Sequence, residues 1–388
     1  MIYLISILPY GTSMINPLKT IFSSGNVFGG GEDGRALGID IGTSAIKVVE
    51  LKKKAGKAVL ETYGAIALGP YAGTEVGRVT NLPAEKITEA LKEVIKQSGA
   101  GGSSSALAIP VQSSLIFTLD LPPQIKESEL SSIVPVEARK YIPVPITEVA
   151  LDYFLLPEKE PSFEEMHSSG GGGEGLARKR VLVVATQNDA VAKYRSIALQ
   201  CGLSASFFEI EVFSSVRSNF EHELSLVLLM DFGASRTKIS MVEFGMVKAY
   251  HTIDRGGADI TDALSKSLSI PFEEAERRKK EYGLFGDPGG GDLPEIIKVH
   301  TDYIFSEANS VLLGYEKKYN KTISKVILTG GGALLKGIRE VAAANFRAEI
   351  ELGHPFSKAG SPPFLDKVLA AVGPEFAVSI GLALRKLQ

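Results

Sequence analysis

Residues 37–51 read LGIDIGTSAIKVVEL. Two apolar runs, Leu37–Ile41 and Ile46–Leu51, flank a Gly-Thr-Ser turn. An aspartate, Asp40, sits inside the first run. Aspartate is a poor strand former. Either an edge strand tolerates it, or the hairpin tip holds something charged.

The surrounding chain bounds the choice. It has 388 residues, 44% hydrophobic and 22% charged, with a formal net charge of −3. These values suit a globular protein of two to three domains and do not point to a nucleic-acid partner. The single cysteine, Cys201, excludes an internal disulfide and suits a reducing compartment. The sequence reads as having no run of the ~18 apolar residues a membrane helix needs. The apolar start, MIYLISILPYGTSMINPLK, lacks a basic lead and does not read as a signal peptide. Met14 is an alternative start, and residues 22–35 read as a flexible linker.

Beyond the hairpin, 58–68 is expected as a strand and LPAEKITEALKEVIKQSGA as a helix, with Pro83 at its start and Gly99 past its end. SALAIPVQ returns to strand. Residues 114–156 read as strand, helix (ESELSSIVPVEARKYIPVP, with Pro135 kinking or delaying it) and strand. A Gly/Ser/Glu-rich loop at 157–178 is expected to be disordered. Then come strand RVLVVAT and helix NDAVAKYRSIALQCGL, capped by Asn188 or Asp189. Residues 225–245, SLVLLMDFGASRTKISMVEFG, repeat the opening design: Asp231, Gly233 and Ser235 echo Asp40, Gly42 and Ser44. Two hairpins of one pattern about 190 residues apart are the trace of an internal duplication.

The repeat suggests a chemistry. Backbone N–H groups of a glycine turn can reach phosphate oxygens unobstructed. Thr43 and Ser44 add hydroxyl donors. Asp40 and Asp231 would hold waters on a Mg²⁺ that accompanies a triphosphate. Lys47 is either a cation near the phosphate tail or a solvated surface lysine. A third element, KVILTGGGALLKGI (325–338), is expected as strand, three glycines and a helix start whose N-terminus favours an anion.

Two Asp-Gly-hydroxyl hairpins followed by LTGGGALLKG resemble the actin-like ATPase superfamily, over about Leu37 to Leu384. The resemblance implies two duplicated RNase H-like lobes of α/β class with ATP and Mg²⁺ between them. It places one phosphate loop at Asp40–Lys47 and the other at Asp231–Thr237, including Gly233, Ala234 and Ser235. It places an adenosine motif at Gly330, Gly331, Gly332 and Ala333. EEAERRKK (273–280) is similar to the helix that meets ribose and purine in bacterial actins, which implies Glu276 and Lys279; an exposed charged helix face is the alternative. EIEVFSS (209–215) falls at the first connecting helix, with Glu211 near the attacking water, and FAVSIGLALR (376–385) at the second.

EARKYIPVPITEVALDY, DAVAKYRSIALQCGL and EIEVFSSVRS are similar to the type IV pilus assembly protein PilM family. That resemblance implies this division: a flexible extension at 1–35, lobe I (1A) at 36–113 and 181–222, and an inserted FtsA/PilM-type subdomain (1C) at 114–180. Lobe II follows at 223–388, with a small subdomain (2B) at about 271–297 and a final helix, 375–387, packing back towards lobe I. It further implies a cytoplasmic ATP-binding scaffold at the inner face of the inner membrane, with at most slow hydrolysis. The implied partner is the N-terminal cytoplasmic peptide of a PilN-like bitopic protein, in an apolar groove around 114–121 and 133–142, with Ile133, Val134, Ala138 and Tyr141 on one helix face. A pilus motor ATPase or platform protein and self-association remain open as further contacts. The rival reading is an FtsA/MreB-like filament-forming ATPase; an FtsA-type membrane anchor is expected to be missing after GLALRKLQ.

Overall fold

The computed structural model describes residues 34–101, 104–156, 179–220, 225–288 and 290–387. Most of the 1–35 extension and the whole 157–178 loop, both expected from sequence to be flexible, lie outside the described residues.

Strands β1 (Arg35–Ile41), β2 (Ala45–Lys54) and β3 (Lys57–Ala67) form an antiparallel meander. Helix α1 (Ala84–Ser98) crosses to β4 (Ser104–Ile109), which lies parallel to β1. Pro83 precedes α1, and Gly99 ends it in the left-handed region at φ 68°. Ile87, Leu91 and Val94 recur along one face and are buried against the sheet.

An insertion follows: β5 (Ser114–Leu121), α2 (Leu130–Ala138), β6 (Val149–Leu155) and β7 (Lys179–Gln187). Its strands form a separate sheet in the order β5-β7-β6, antiparallel throughout. Helix α2 is shorter than the sequence suggests. It opens from a 3-10 turn at Glu127–Glu129, carries Pro135 inside, and stops at Ala138. Proline lacks the N–H that would bond one turn back, which weakens a short helix from within. Val134 and Ala138 face the insertion's own core, whereas Tyr141 lies beyond the helix end, exposed. The expected single face of Ile133, Val134, Ala138 and Tyr141 therefore does not form.

Helix α3 (Asn188–Gln200) leads to β8 (Ser204–Ile210), parallel to β4, and then to α4 (Glu211–Asn219). The cap position of α3 is Gln187, without a side-chain cap bond. Asn188, the first helical residue, spends its amide on the Thr147 carbonyl at 2.9 Å instead. The first sheet closes as β3-β2-β1-β4-β8.

Strands β9 (Val227–Phe232), β10 (Thr237–Glu243) and β11 (Met246–Ile253) repeat the meander. Helices α5 (Gly257–Ser267), α6 (Phe272–Tyr282) and the long α7 (Leu293–Tyr319) follow. Strand β12 (Lys325–Thr329), helix α8 (Ile338–Asn345) and β13 (Glu349–Leu352) complete a sheet ordered β11-β10-β9-β12-β13. Both five-stranded sheets thus share one order and one pattern of two antiparallel and two parallel pairings.

The chain ends in α9 (Asp366–Val372) and α10 (Ala377–Leu387). Contrary to the expectation from sequence, the stretch Pro363–Leu387 reaches the length and hydropathy of a membrane span. In the fold α10 is a core helix, packed on β1, β2, β4 and α4. Two glycines permit this. A Cβ on Gly38 would stand 1.9 Å from the Ser379 carbonyl oxygen, and one on Gly381 would stand 1.9 Å from that of Ser214. Behind the crossing, buried Glu209 receives Arg217 Nη1 and Nη2 at 2.7 and 2.8 Å, Arg385 Nη1 at 2.5 Å, and the Ser214 hydroxyl. Burial opposes its charge, but the two guanidinium groups win and hold its carboxyl below the usual range.

A cleft between two matching turns

The two hairpins close in the same way. Asp40 lies opposite Lys47 and Ile41 opposite Ile46, leaving residues 42–45 as the turn. Asp231 lies opposite Lys238 and Phe232 opposite Thr237, leaving 233–236. Gly42 N–H donates to the Ala45 carbonyl at 3.0 Å, and Gly233 N–H to the Arg236 carbonyl at 3.0 Å. Side chains at these glycines would sit 3.0 and 2.8 Å from those same oxygens. The tips meet: the Thr43 hydroxyl donates to Ser235 Oγ at 3.2 Å across 192 residues of sequence.

Different supports hold the two tips. Thr80 donates its N–H and hydroxyl to the Thr43 carbonyl at 2.8 and 3.0 Å. Behind the second tip, the first N–H groups of α5 point at turn carbonyls, Gly257 to Gly233 at 3.0 Å and Ala258 to Ala234 at 2.8 Å. A further bridge, Arg78 to Asp262 at 2.9 Å, crosses between the lobes.

The tips border a cavity of about 660 Å³, within the range of small-molecule sites. Gly42, Thr43, Ser44 and Lys47 line it from one lobe; Gly233, Ala234 and Ser235 face them from the other. Gly330, Gly331 and Gly332 line it too, but Ala333 turns into the lobe II core. The glycine run is a 3-10 turn, Gly331–Leu334, rather than a helix start; α8 begins only after Gly337. Its glycines answer a packing need. At Gly330, with φ +80°, a Cβ would stand 2.3 Å from Asp231 Oδ1, and at Gly332 a Cβ would stand 2.6 Å from the Phe232 ring.

Glu276 and Lys279 are buried at the cavity wall rather than forming an exposed face. The Glu276 carboxylate accepts from the Thr261 hydroxyl at 2.5 Å and pairs with Lys279 Nζ at 2.6 Å, tying α6 to α5. Lys279 also donates to the Gly257 carbonyl at 2.8 Å, so this pair is linked through α5 to the second turn.

At the deep end stand Asp40, Asp231 and Glu211. Burial raises the Asp40 carboxyl to about 6, against the pull of nearby Lys47. Glu211, the first residue of α4, accepts the Val111 N–H at 3.0 Å on Oε1. Its Oε2 accepts from Lys238 Nζ at 2.5 Å, and the same ammonium lies 3.3 Å from Asp231 Oδ2. Burial opposes the charge on Lys238, yet Asp231 and Glu211 hold it above the ordinary lysine range. Sequence reasoning missed Lys238. Its signal was present: it follows Asp231 by seven residues, as Lys47 follows Asp40.

The arrangement bears on the metal implied for Asp40 and Asp231. Among the described residues no group of three or more His, Cys, Asp or Glu is placed to hold an ion. A divalent ion on Asp231 would share that carboxylate with an ammonium. Two unit charges 4 Å apart near a protein surface already repel by about 4 kcal/mol. Asp231 therefore fits a fixed ammonium rather than a resident Mg²⁺.

Two lobes of one topology, meeting turn to turn over a cleft and crossed by α4 and α10, define the actin-like ATPase fold. A chain of the solved PilM-PilN type IV pilus biogenesis complex shares it, with a TM-score of 0.74 at 24% identity over 91% of this chain and 98% of that one. The ethanolamine utilization protein EutJ from Carboxydothermus hydrogenoformans shares it at a TM-score of 0.52 and 16% identity, over 90% and 89%. The cell division protein FtsA of Neisseria meningitidis serogroup B is 26% identical, over 89% of this chain and 88% of its own length. The family model described as Type IV pilus assembly protein PilM matches residues 38–387, and the chain belongs to that family.

Proposed function

We propose that the protein is an ATP-binding scaffold of type IV pilus assembly that works in the cytoplasm at the inner membrane and grips the cytoplasmic tail of a bitopic membrane protein. The observation that carries the nucleotide reading is the pair of glycine turns of one backbone design in contact across a cavity. Their N–H and hydroxyl donors suit a phosphate chain, and Lys47 makes no ion pair there among the described residues. The glycine turn at 330–332 and the Glu276–Lys279 wall suit the nucleoside end. Isothermal titration with ATP tests this: saturable binding supports it, and its absence at millimolar ATP removes it.

The tail reading attaches to the inserted subdomain. On β5 Leu115 is exposed, and beyond the end of α2 Tyr141 stacks on Phe117 with ring centroids 5.2 Å apart. An extended peptide gains affinity from such apolar anchors. The solved relative is itself a complex with PilN. Fluorescence anisotropy with a labelled N-terminal peptide of the pilus partner is the test. Leu115→Ser with Tyr141→Ser should weaken binding by about tenfold or more; unchanged binding moves the site elsewhere.

A further inference from the structure

We propose that Lys238 is the resident cation at the phosphate end of the cleft, so that ATP is held there without a divalent metal. The proposal rests on the nucleotide reading above and specifies the ionic form of the ligand: the metal-free nucleoside triphosphate.

Lys238 stands two residues past the second turn, and its backbone is fixed opposite Asp231 by strand pairing. Its side chain is 13% exposed and borders the cavity. One ammonium contacts two carboxylates, Glu211 at 2.5 Å and Asp231 at 3.3 Å. An ammonium has three donors, so one remains for a phosphate oxygen. Mg²⁺ in a nucleotide site is bound by one or two carboxylates together with the phosphates, and it keeps several waters. Here one of the two aspartates facing the cleft, Asp231, is already paired with a cation the chain supplies, an ammonium it shares with Glu211. The first hairpin gives the complementary half. Lys47 occupies the equivalent place opposite Asp40, lines the same cavity and forms no ion pair within 4 Å among the described residues. The two turns therefore present two lysines to one phosphate chain, one engaged with carboxylates and one open.

The same contacts assign Glu211 a positioning part at this end of the cleft. Each of its two oxygens accepts one hydrogen bond, Oε1 from the Val111 N–H and Oε2 from Lys238. It positions the ammonium and closes the inner end of the site.

The test is ATP titration into the full-length protein in buffer with Mg²⁺ and in buffer with EDTA. The wild-type dissociation constants are expected to agree within about threefold, and Lys238→Arg should keep that behaviour. Lys238→Gln should lose about tenfold or more in metal-free ATP affinity, with part of the loss restored by Mg²⁺. A wild-type affinity that drops about tenfold or more in EDTA overturns the proposal, as does metal-free binding by Lys238→Gln at the wild-type level. Should Lys238→Gln fail to fold, the wild-type and arginine comparisons decide alone. Absence of ATP binding in both buffers overturns the nucleotide reading and this proposal with it, whereas metal-dependent binding overturns this proposal only.

Discussion

In the first hairpin the aspartate is buried and its lysine stands free; in the second the aspartate is half-buried and its lysine bridges two acids. Backbone turn, register and spacing are the same in both. What differs is which elements stand behind them. Asp231 and Lys238 have Glu211 beside them, delivered by the start of α4. Asp40 is desolvated under the first lobe and has no cation within ion-pair distance among the described residues. A duplicated backbone motif thus carries two different sets of charge contacts, and the surrounding elements decide which.

The largest expected effect comes from unpairing the buried acid behind the α4–α10 crossing. Glu209→Ala leaves Arg217 and Arg385 buried without their shared carboxylate, which typically costs about 3–5 kcal/mol. Thermal melts should show a large fall at pH 7. Because the folded carboxyl titrates below its unfolded value of 4.5, its contribution is present above about pH 4.5 and is lost as pH falls. The gap between wild type and variant should narrow in acid; a constant gap would show that the ion pairs do not hold the crossing.

The next pair of variants should move in opposite directions. Asp40 titrates at about 6 in the fold against 3.8 as a free side chain, so the folded state holds the extra proton between those values and stability falls as pH rises through that window. Asp40→Asn should remove this penalty, stabilising at pH 8 by about 3 kcal/mol at most and by little at pH 4. Asp231→Asn strips one partner from Lys238 and should destabilise at pH 8 by about 1–3 kcal/mol. Equal signs in chemical denaturation would collapse the distinction between the hairpins.

Lys47→Ala sharpens the contrast on the ligand side. Lys47 makes no ion pair among the described residues, but its charge draws the buried Asp40 carboxyl down, so Lys47→Ala should cost about 1 kcal/mol at most at pH 8 while weakening ATP binding by about tenfold, measured by titration. The smallest effects belong to the turns themselves. Gly233→Ala and Gly42→Ala each press a methyl against a turn carbonyl, 2.8 Å away in the first case and 3.0 Å in the second. About 1 kcal/mol is expected, more for Gly233→Ala. The reverse order in urea melts would place the strain elsewhere.

Much of the site is legible in the amino-acid sequence, because local patterns encode it. A strand, an acid, a glycine and a hydroxyl within seven residues specify a hairpin tip, and two copies specify facing tips. The glycine run at 330–332 is legible as a close approach but not as what approaches: Phe232 and Asp231 come from a strand a hundred residues earlier. Helix α2 reads as longer than it is because its apolar residues continue past Ala138, while the proline and the packing of Val134 and Ala138 end it early. Glu276 and Lys279 read equally well as exposed charges, since only the docking of α6 on α5 buries them.

The sequence by itself determined the duplicated hairpins, the strand–helix alternation and the glycine positions, because each depends on residues a few places apart and on backbone sterics that any context preserves. Tertiary structure alone decided the charges. Whether Asp40 keeps its proton, whether Lys238 is bound or free, and whether Glu209 is stable between two arginines all depend on distances across the chain and on exclusion of water. Burial and neighbouring charge act over a few ångströms in space, and sequence spacing carries no measure of them.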